Sequence, residues 1–177
     1  MSARPETVGH GLRLQGLPPL LAPHTRVLVL GSFPGAASLA ARQYYAHPQN
    51  QFWKILQAIW PSSQYGTCDD SYESRSKWML SHGLGVWDVY AACEREGSLD
   101  ASIRHPQVND LASLRRRCPQ LQAIAHNGGE SYKLARCTAD LGLPVYKLPS
   151  TSPANASWSF ERKLAAWREV FEQHGLT

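Results

Sequence analysis

The amino-acid sequence predicts an α/β protein, a three-layer α/β/α sandwich around a short, mainly parallel central sheet of about four strands. Two observations carry this expectation. Short apolar runs alternate with helical segments through short connections. In addition, each unusual polar cluster directly follows a predicted strand, where ligands of such sheets bind.

The elements follow in order. Arg26 to Leu30, RVLVL, reads as a buried strand ending at Gly31. From Gln51 to Trp60 the apolar residues Phe52, Trp53, Ile55, Leu56, Ile59 and Trp60 recur at helical spacing, and Pro61 stops the pattern. A second helix is expected over Tyr72 to Ser81, and a second strand over Gly85 to Tyr90, GVWDVY. Asn109 to Arg117 reads as a helix with an asparagine cap and a basic end. A third strand, Leu121 to His126, leads into Asn127, Gly128 and Gly129, which open a helix from Glu130 to Asp140. Pro144 to Leu148 forms the last strand. The closing helix presents Phe160, Leu164, Trp167 and Phe171 on one face, a spacing suited to packing on a sheet.

A length of 177 residues fits one domain, here residues 25–177, preceded by a loosely held lead-in over residues 1–24. With 43% hydrophobic and 18% charged residues, the chain can bury a sizeable interior, which excludes intrinsic disorder as its main character. No apolar run approaches the roughly 18 residues of a membrane span, and the opening MSARPETVGH lacks the apolar stretch of a secretory signal. These features predict a soluble cytoplasmic protein, nucleoid-associated if prokaryotic, with no membrane partner. Cys68, Cys93, Cys118 and Cys137 form no Cys-x-x-Cys pair, so they are expected as reduced structural thiols, with no metal and no cofactor.

Net charge is +4, and its distribution is informative. No acidic residue lies between Glu6 and Asp69, whereas Arg13, Arg26, Arg42 and Lys54 do, so the excess resides in the first third of the chain. That third is either the face for a polyanion or a chance gap in a weakly charged chain.

Four loops are expected on one rim: GSFPG after strand one, Asp88 at the end of strand two, HNGG after strand three and PSTSPANA after strand four. Gly31, Ser32, Phe33, Pro34 and Gly35 make a tight, glycine-bounded loop that a ligand can approach closely, although a plain strand-to-loop turn needs the same residues. The stretch from Tyr44 to Trp53 combines Tyr44, Tyr45, His47 and Asn50. Aromatic faces with hydrogen-bonding edges suit a nucleobase. Phe52 and Trp53 belong to the core, and Asn50 is either a site residue or a helix cap. Asn127 and Gly128 offer a phosphate site at a helix start, or a simple cap and turn.

Three segments carry a resemblance: Gly31-Ser32-Phe33-Pro34-Gly35, then Tyr45-Ala46-His47-Pro48-x-Asn50-x-Phe52-Trp53, then Leu148-Pro149-Ser150-Thr151-Ser152-Pro153. In order and approximate spacing they resemble the uracil-DNA glycosylase superfamily, above all its hypoxanthine-DNA glycosylase branch. The resemblance runs from Arg26 to Phe171. It implies a uracil-DNA glycosylase-like fold and a monomeric hydrolase of base excision repair. Such an enzyme extrudes a deaminated base from DNA, with hypoxanthine the base expected here, and leaves an abasic site.

The resemblance also implies residue roles. Phe33 stands where many members carry the Asn or Asp that handles the attacking water, so that role, or assistance to the leaving group, passes to Asn50. Tyr45 matches the aromatic that lies on the flipped base. Asp88 falls where uracil-specific members place a base-reading Asn, and it either contacts the base, orients water or caps local amides. Ser150, Thr151 and Ser152, with Asn155, correspond to the motif that pinches the DNA backbone, and Pro153 and Ala154 to a modest wedge. No lysine occupies a nucleophile position in these motifs, so no lyase step is expected. The competing readings are a uracil or mixed-lesion glycosylase, and a DNA-binding module without catalysis. A small-nucleotide-binding domain is disfavoured, because no phosphate-loop pattern follows strand one.

Overall fold

The structure is a computed structural model describing residues 12–61 and 71–177. Its centre is a parallel sheet of β2 (Val27–Gly31), β3 (Leu84–Asp88), β6 (Ala123–Asn127) and β7 (Val145–Leu148) in the order β3-β2-β6-β7. Val27, Val29, Leu84, Val86, Ala123 and Ala125 face a core completed by α2 (Phe52–Ile59), α3 (Tyr72–Ser81) and α7 (Phe160–Gln173). Leu28, Leu30 and Ile124 alternate onto the opposite face, against α4 (Leu114–Arg117) and its surroundings. β2, β3 and β6 are buried along their whole length, which is why they read as unbroken apolar runs. The expected three-layer α/β/α sandwich with four central strands is therefore the observed one.

Several helix boundaries follow from local chemistry. Ser71 caps α3 by accepting from the Ser74 amide, and Ser159 caps α7 by accepting from the Arg162 amide. In α7, Trp167 and Phe171 are fully buried while Phe160 and Leu164 pack at the margin, so the predicted face is the packed one.

The structure corrects other expectations. The run GVWDVY is not one strand: β3 ends at Asp88, and the chain bends at Val89 into β4 (Tyr90–Glu94). Gly31, the last partner of β3, turns away at this point, so β4 pairs antiparallel with β1 (Arg13–Gln15) and β5 (Arg104–Val108) in a second sheet. Residues 13–20 are consequently not a loose lead-in. Besides the β1 pairing, Leu20 exchanges two backbone hydrogen bonds with Val86 and Leu17 is buried. The earliest residues of the predicted lead-in lie outside the described part.

Asn109 does not cap a helix. Its amide donates to the Asp88 carbonyl at 2.8 Å, and only a short 3-10 turn and α4 follow. The helix expected over Glu130 to Asp140 is broken into α5 (Gly129–Tyr132) and α6 (Ala135–Ala139). Cys93 and Cys118 are free and buried, Cys137 is free and exposed, and Cys68 lies outside the described residues. Among the described residues no helix is long and apolar enough to cross a membrane.

Candidate active site

The first and second strands of the parallel sheet, β2 and β3, lie side by side, and the third, β6, joins on the other side of β2. Chain order thus reverses beside β2, and the crevice at such a reversal opens at the strands' carboxyl ends. A cavity of about 890 Å³ occupies that place. Its wall includes Gly31 to Gly35, Tyr44, Tyr45, His47, Asn50, Asp88, Asn127, Gly128 and Ser150 to Asn155. Loops far apart in sequence meet there because each follows a strand of one parallel sheet.

Asp88 is the chemically distinctive group. Its side chain is 5% exposed, and Oδ2 is buried without a hydrogen-bond partner. Burial pushes the carboxyl up from 3.8 to about 7; the nearby Asp100 charge raises it further and Arg95 partly opposes the rise. The close approach needs a glycine opposite. A Cβ on Gly31 would stand 2.4 Å from Asp88 Oδ1 and 3.2 Å from the Tyr45 hydroxyl. GSFPG therefore begins with glycine because the Asp88 and Tyr45 side chains crowd its first residue.

Tyr45 forms part of the wall beside Asp88. It adopts φ 54°, a left-handed backbone that costs an aromatic residue about 1 kcal/mol, and its ring packs on Phe52 with centroids 4.2 Å apart. Phe52 in turn meets Trp167 of α7 edge-on at 5.9 Å, so the Tyr45 ring rests on the main core. Burial, then the charge of Asp88, raises the phenol well above its ordinary range, which keeps the hydroxyl neutral.

Tyr44 differs from the expectation that it faces a ligand. Although it borders the cavity, it is 3% exposed, and its hydroxyl is held by the carbonyls of Leu17 and Pro18. The docked N-terminal segment makes it a core residue. His47 is exposed at the rim, with Nδ1 accepting from the Gln49 amide. Asn50 combines both sequence readings: it borders the cavity, and its Oδ1 accepts from the Phe52 amide at 3.0 Å.

Asn127 works as an internal clasp. Its Nδ2 donates to Tyr45 Oη and Thr151 Oγ1, while its Oδ1 accepts from the Thr151 amide. One buried amide thus ties the end of β6 to the aromatic wall and to the loop after β7. The Gly128 amide is taken by the Leu148 carbonyl, and α5 is a single turn with little dipole, so neither that amide nor a strong helix dipole is free for a phosphate. His126, the preceding residue, sits between the hydroxyls of Ser131 and Thr138 with its pKa pushed down to about 4 by burial, a neutral packing residue.

The loop after β7 also differs from a simple amide cradle. The amides of Thr151, Ser152, Ala154 and Asn155 are satisfied by Asn127, Ser150 Oγ, Ser152 Oγ and the Ser152 carbonyl. The Ser150 and Ser152 hydroxyls accept in these bonds and retain their own hydrogens for a ligand. Pro153 and Ala154 are exposed.

Sequence reasoning missed a fifth contributor, the tip joining β4 to β5. Ser98, Leu99, Asp100 and Ala101 line the cavity, as does Trp158, whose ring lies 4.2 Å beneath the Arg162 guanidinium. Arg95 supports the first loop. It is 9% exposed, donates to the Pro34 and Gly97 carbonyls, and lies 5.2 Å over the Phe33 ring. The only advance signal was the polar run REGSLD after an apolar segment, which is legible once a hairpin is known to pass there.

Comparison with known proteins bears on this geometry. Residues 18–171 match the family model described as the uracil DNA glycosylase superfamily. The chain is 35% identical over 158 residues to a hypoxanthine DNA glycosylase of Methanosarcina acetivorans, covering 89% of this chain and 97% of that protein. It is 32% identical over 162 residues to one of Methanosarcina barkeri, covering 92% and 100%. A G/U mismatch-specific uracil DNA glycosylase of Schizosaccharomyces pombe is 28% identical over 146 residues, covering 78% of this chain and 41% of that protein. Among solved structures, the solution NMR structure of a candidate uracil DNA glycosylase from Methanosarcina acetivorans superposes with a TM-score of 0.81 at 32% identity, covering 93% of this chain and 99% of that one. With its sheet-end cavity and its three ordered motifs, the chain belongs to the uracil DNA glycosylase superfamily.

Proposed function

We propose that this protein is a monofunctional DNA glycosylase that removes hypoxanthine from deoxyinosine in DNA, acting as a monomer through a single domain that takes in the docked segment from Arg13 onward. The observation that carries the reading is the buried, unpartnered Oδ2 of Asp88 beside the Tyr45 ring. An extruded base lying on Tyr45 supplies the missing partner. Hypoxanthine presents N1–H, a donor for the Asp88 carboxylate, and accepting that bond favours the ionised form. Adenine presents an acceptor at N1, which opposes the ionised carboxyl and is met only by the protonated acid, so rejection of the undamaged base strengthens as pH rises through about 7.

In the reaction, water bonds to C1′ as the C1′–N9 bond breaks, and the base leaves with the bonding electron pair and takes up a proton. Asn50, whose Oδ1 is fixed by the Phe52 amide, directs its Nδ2 donors to the water or the departing base. The positive charge developing on the sugar is stabilised by the DNA phosphates, which the Ser150 and Ser152 hydroxyls hold nearby. The two hypoxanthine DNA glycosylases found as relatives over nearly their whole length support the choice of base.

A second reading, release of uracil, is favoured by the similarity to the G/U mismatch-specific enzyme, and uracil shares the adjacent N–H and carbonyl edge. Single-turnover incubation with end-labelled duplexes carrying one deoxyinosine or one deoxyuridine, followed by alkali, separates them. Cutting at inosine ahead of uracil is expected. The reverse order selects the uracil reading, cutting without alkali refutes the monofunctional assignment, and binding without cutting refutes catalysis. For Asn50→Ala, a single-turnover rate at least about 100-fold lower is expected, and a rate within a few-fold of wild type removes Asn50 from the mechanism.

A further inference from the structure

The tip between β4 and β5 is pinned to the site rather than free. Ala36 donates its amide to Ser98 Oγ at 2.9 Å, and Ser32 donates its hydroxyl to Asp100 Oδ1 at 2.6 Å. Arg95 Nε holds the Gly97 carbonyl, and Ile103 is buried at the far end. Between the two pinned side chains stands Leu99, which is 59% exposed and is the one large apolar side chain in residues 96–102. The loop lines the cavity and therefore fixes Leu99 at its mouth, with most of its surface in water.

An exposed leucine is ordinary on a surface, but one locked between two hydrogen-bonded neighbours on the lip of a cavity is set toward whatever enters that cavity. Extruding a nucleotide leaves a gap in the base stack that an apolar side chain can fill, which opposes return of the base. From the opposite edge of the sheet, the loop after β7 offers Pro153 and Ala154, which are small for a base-sized gap, and Trp158, whose ring already carries the Arg162 guanidinium at 4.2 Å. At the start of β5, Arg104 donates to the Ala101 and Ile103 carbonyls and is otherwise exposed, bringing to the base of the tip a positive charge that suits the flanking phosphates.

We propose that Leu99 enters the duplex and occupies the space left by the extruded nucleotide, an inference that rests on the glycosylase reading above. The tip is then a second DNA-contacting lip, contributed by the antiparallel sheet.

The test uses the full chain and its variants Leu99→Ala and Leu99→Met on a duplex containing one deoxyinosine with 2-aminopurine as its neighbour. Single-turnover release and the rise in 2-aminopurine fluorescence are followed together, with thermal melting of each protein as a control for folding. Leu99→Ala is expected to lower the rate about 10- to 100-fold, the effect of losing one buried leucine contact. The fluorescence rise should shrink with it, melting should be unchanged, and Leu99→Met should restore both signals. A Leu99→Ala rate within about twofold of wild type overturns the proposal and leaves the glycosylase reading intact. A slower rate with the full fluorescence rise also overturns it, because Leu99 then acts after extrusion. If the wild-type protein releases neither hypoxanthine nor, from the matching deoxyuridine duplex, uracil, the glycosylase reading falls and this inference with it.

Discussion

Replacing Asp88 by asparagine should make the protein more stable at alkaline pH and less active. Asp88 is 5% exposed, and burial first, with Asp100 adding, moves its carboxyl from 3.8 to about 7. Below about pH 4 the group is protonated in both the folded and the unfolded chain, so it contributes no pH dependence. Between there and about pH 7 the unfolded chain ionises while the folded chain keeps its proton, so stability falls by about 1.4 kcal/mol per pH unit. Above pH 7 both forms are ionised and the cost is constant, with a ceiling of about 4 kcal/mol. Asparagine does not titrate. Whatever fixed offset the substitution introduces, the stability of Asp88→Asn relative to wild type should grow from about pH 4.5 to pH 8. Urea unfolding followed by tryptophan fluorescence at several pH values measures this, with equal slopes against denaturant showing that the unfolding reaction is the same. A difference that is independent of pH, or that widens toward acid, refutes the reasoning. Single-turnover release of hypoxanthine should fall at the same time, since the partner of N1–H has lost its charge.

Two further substitutions test the geometry around this carboxyl. Gly31→Ala places a Cβ 2.4 Å from Asp88 Oδ1; a stability loss of about 1–3 kcal/mol by urea unfolding and a rate at least about tenfold lower are expected. Asn127→Ala removes the clasp and leaves the buried Thr151 amide without its acceptor. A loss of about 2–3 kcal/mol is expected, with faster amide exchange confined to residues 148–155, and unchanged exchange there would show that the loop holds itself.

Much of the fold was legible because its elements satisfy local rules. The unbroken apolar run at Val27 to Gly31 reports a strand buried on both faces, and the face of Trp167 and Phe171 reports a helix on a sheet. The start of α3 follows from the serine before it, whose side chain accepts from the amide three residues on. Convergence of four loops on one rim was also legible, because parallel strands all end on the same side.

Other features depend on partners distant in the chain. Nothing within GVWDVY marks the bend at Val89, since it arises where β2 ends and the strand must find β1, which lies more than seventy residues upstream. Tyr44 reads as a spare aromatic until the N-terminal segment lies over it and takes its hydroxyl. Asn109 reads as a cap until the Asp88 carbonyl, left open by that same bend, takes its amide.

The site divides in the same way. Sequence alone determined which residue types assemble and in what order: a glycine-bounded turn, a Tyr-x-His-x-x-Asn stretch and a serine-rich loop, each tied to a strand or helix end by short-range constraints. Tertiary structure alone decided what those residues are free to do. It spent the hydrogen bonds of Asn127 on a clasp, left Asp88 Oδ2 without a partner in a desolvated pocket, and brought Leu99 to the mouth. Polar satisfaction and burial are sums over neighbours far apart in the chain, whereas periodicity and capping are properties of a few consecutive residues.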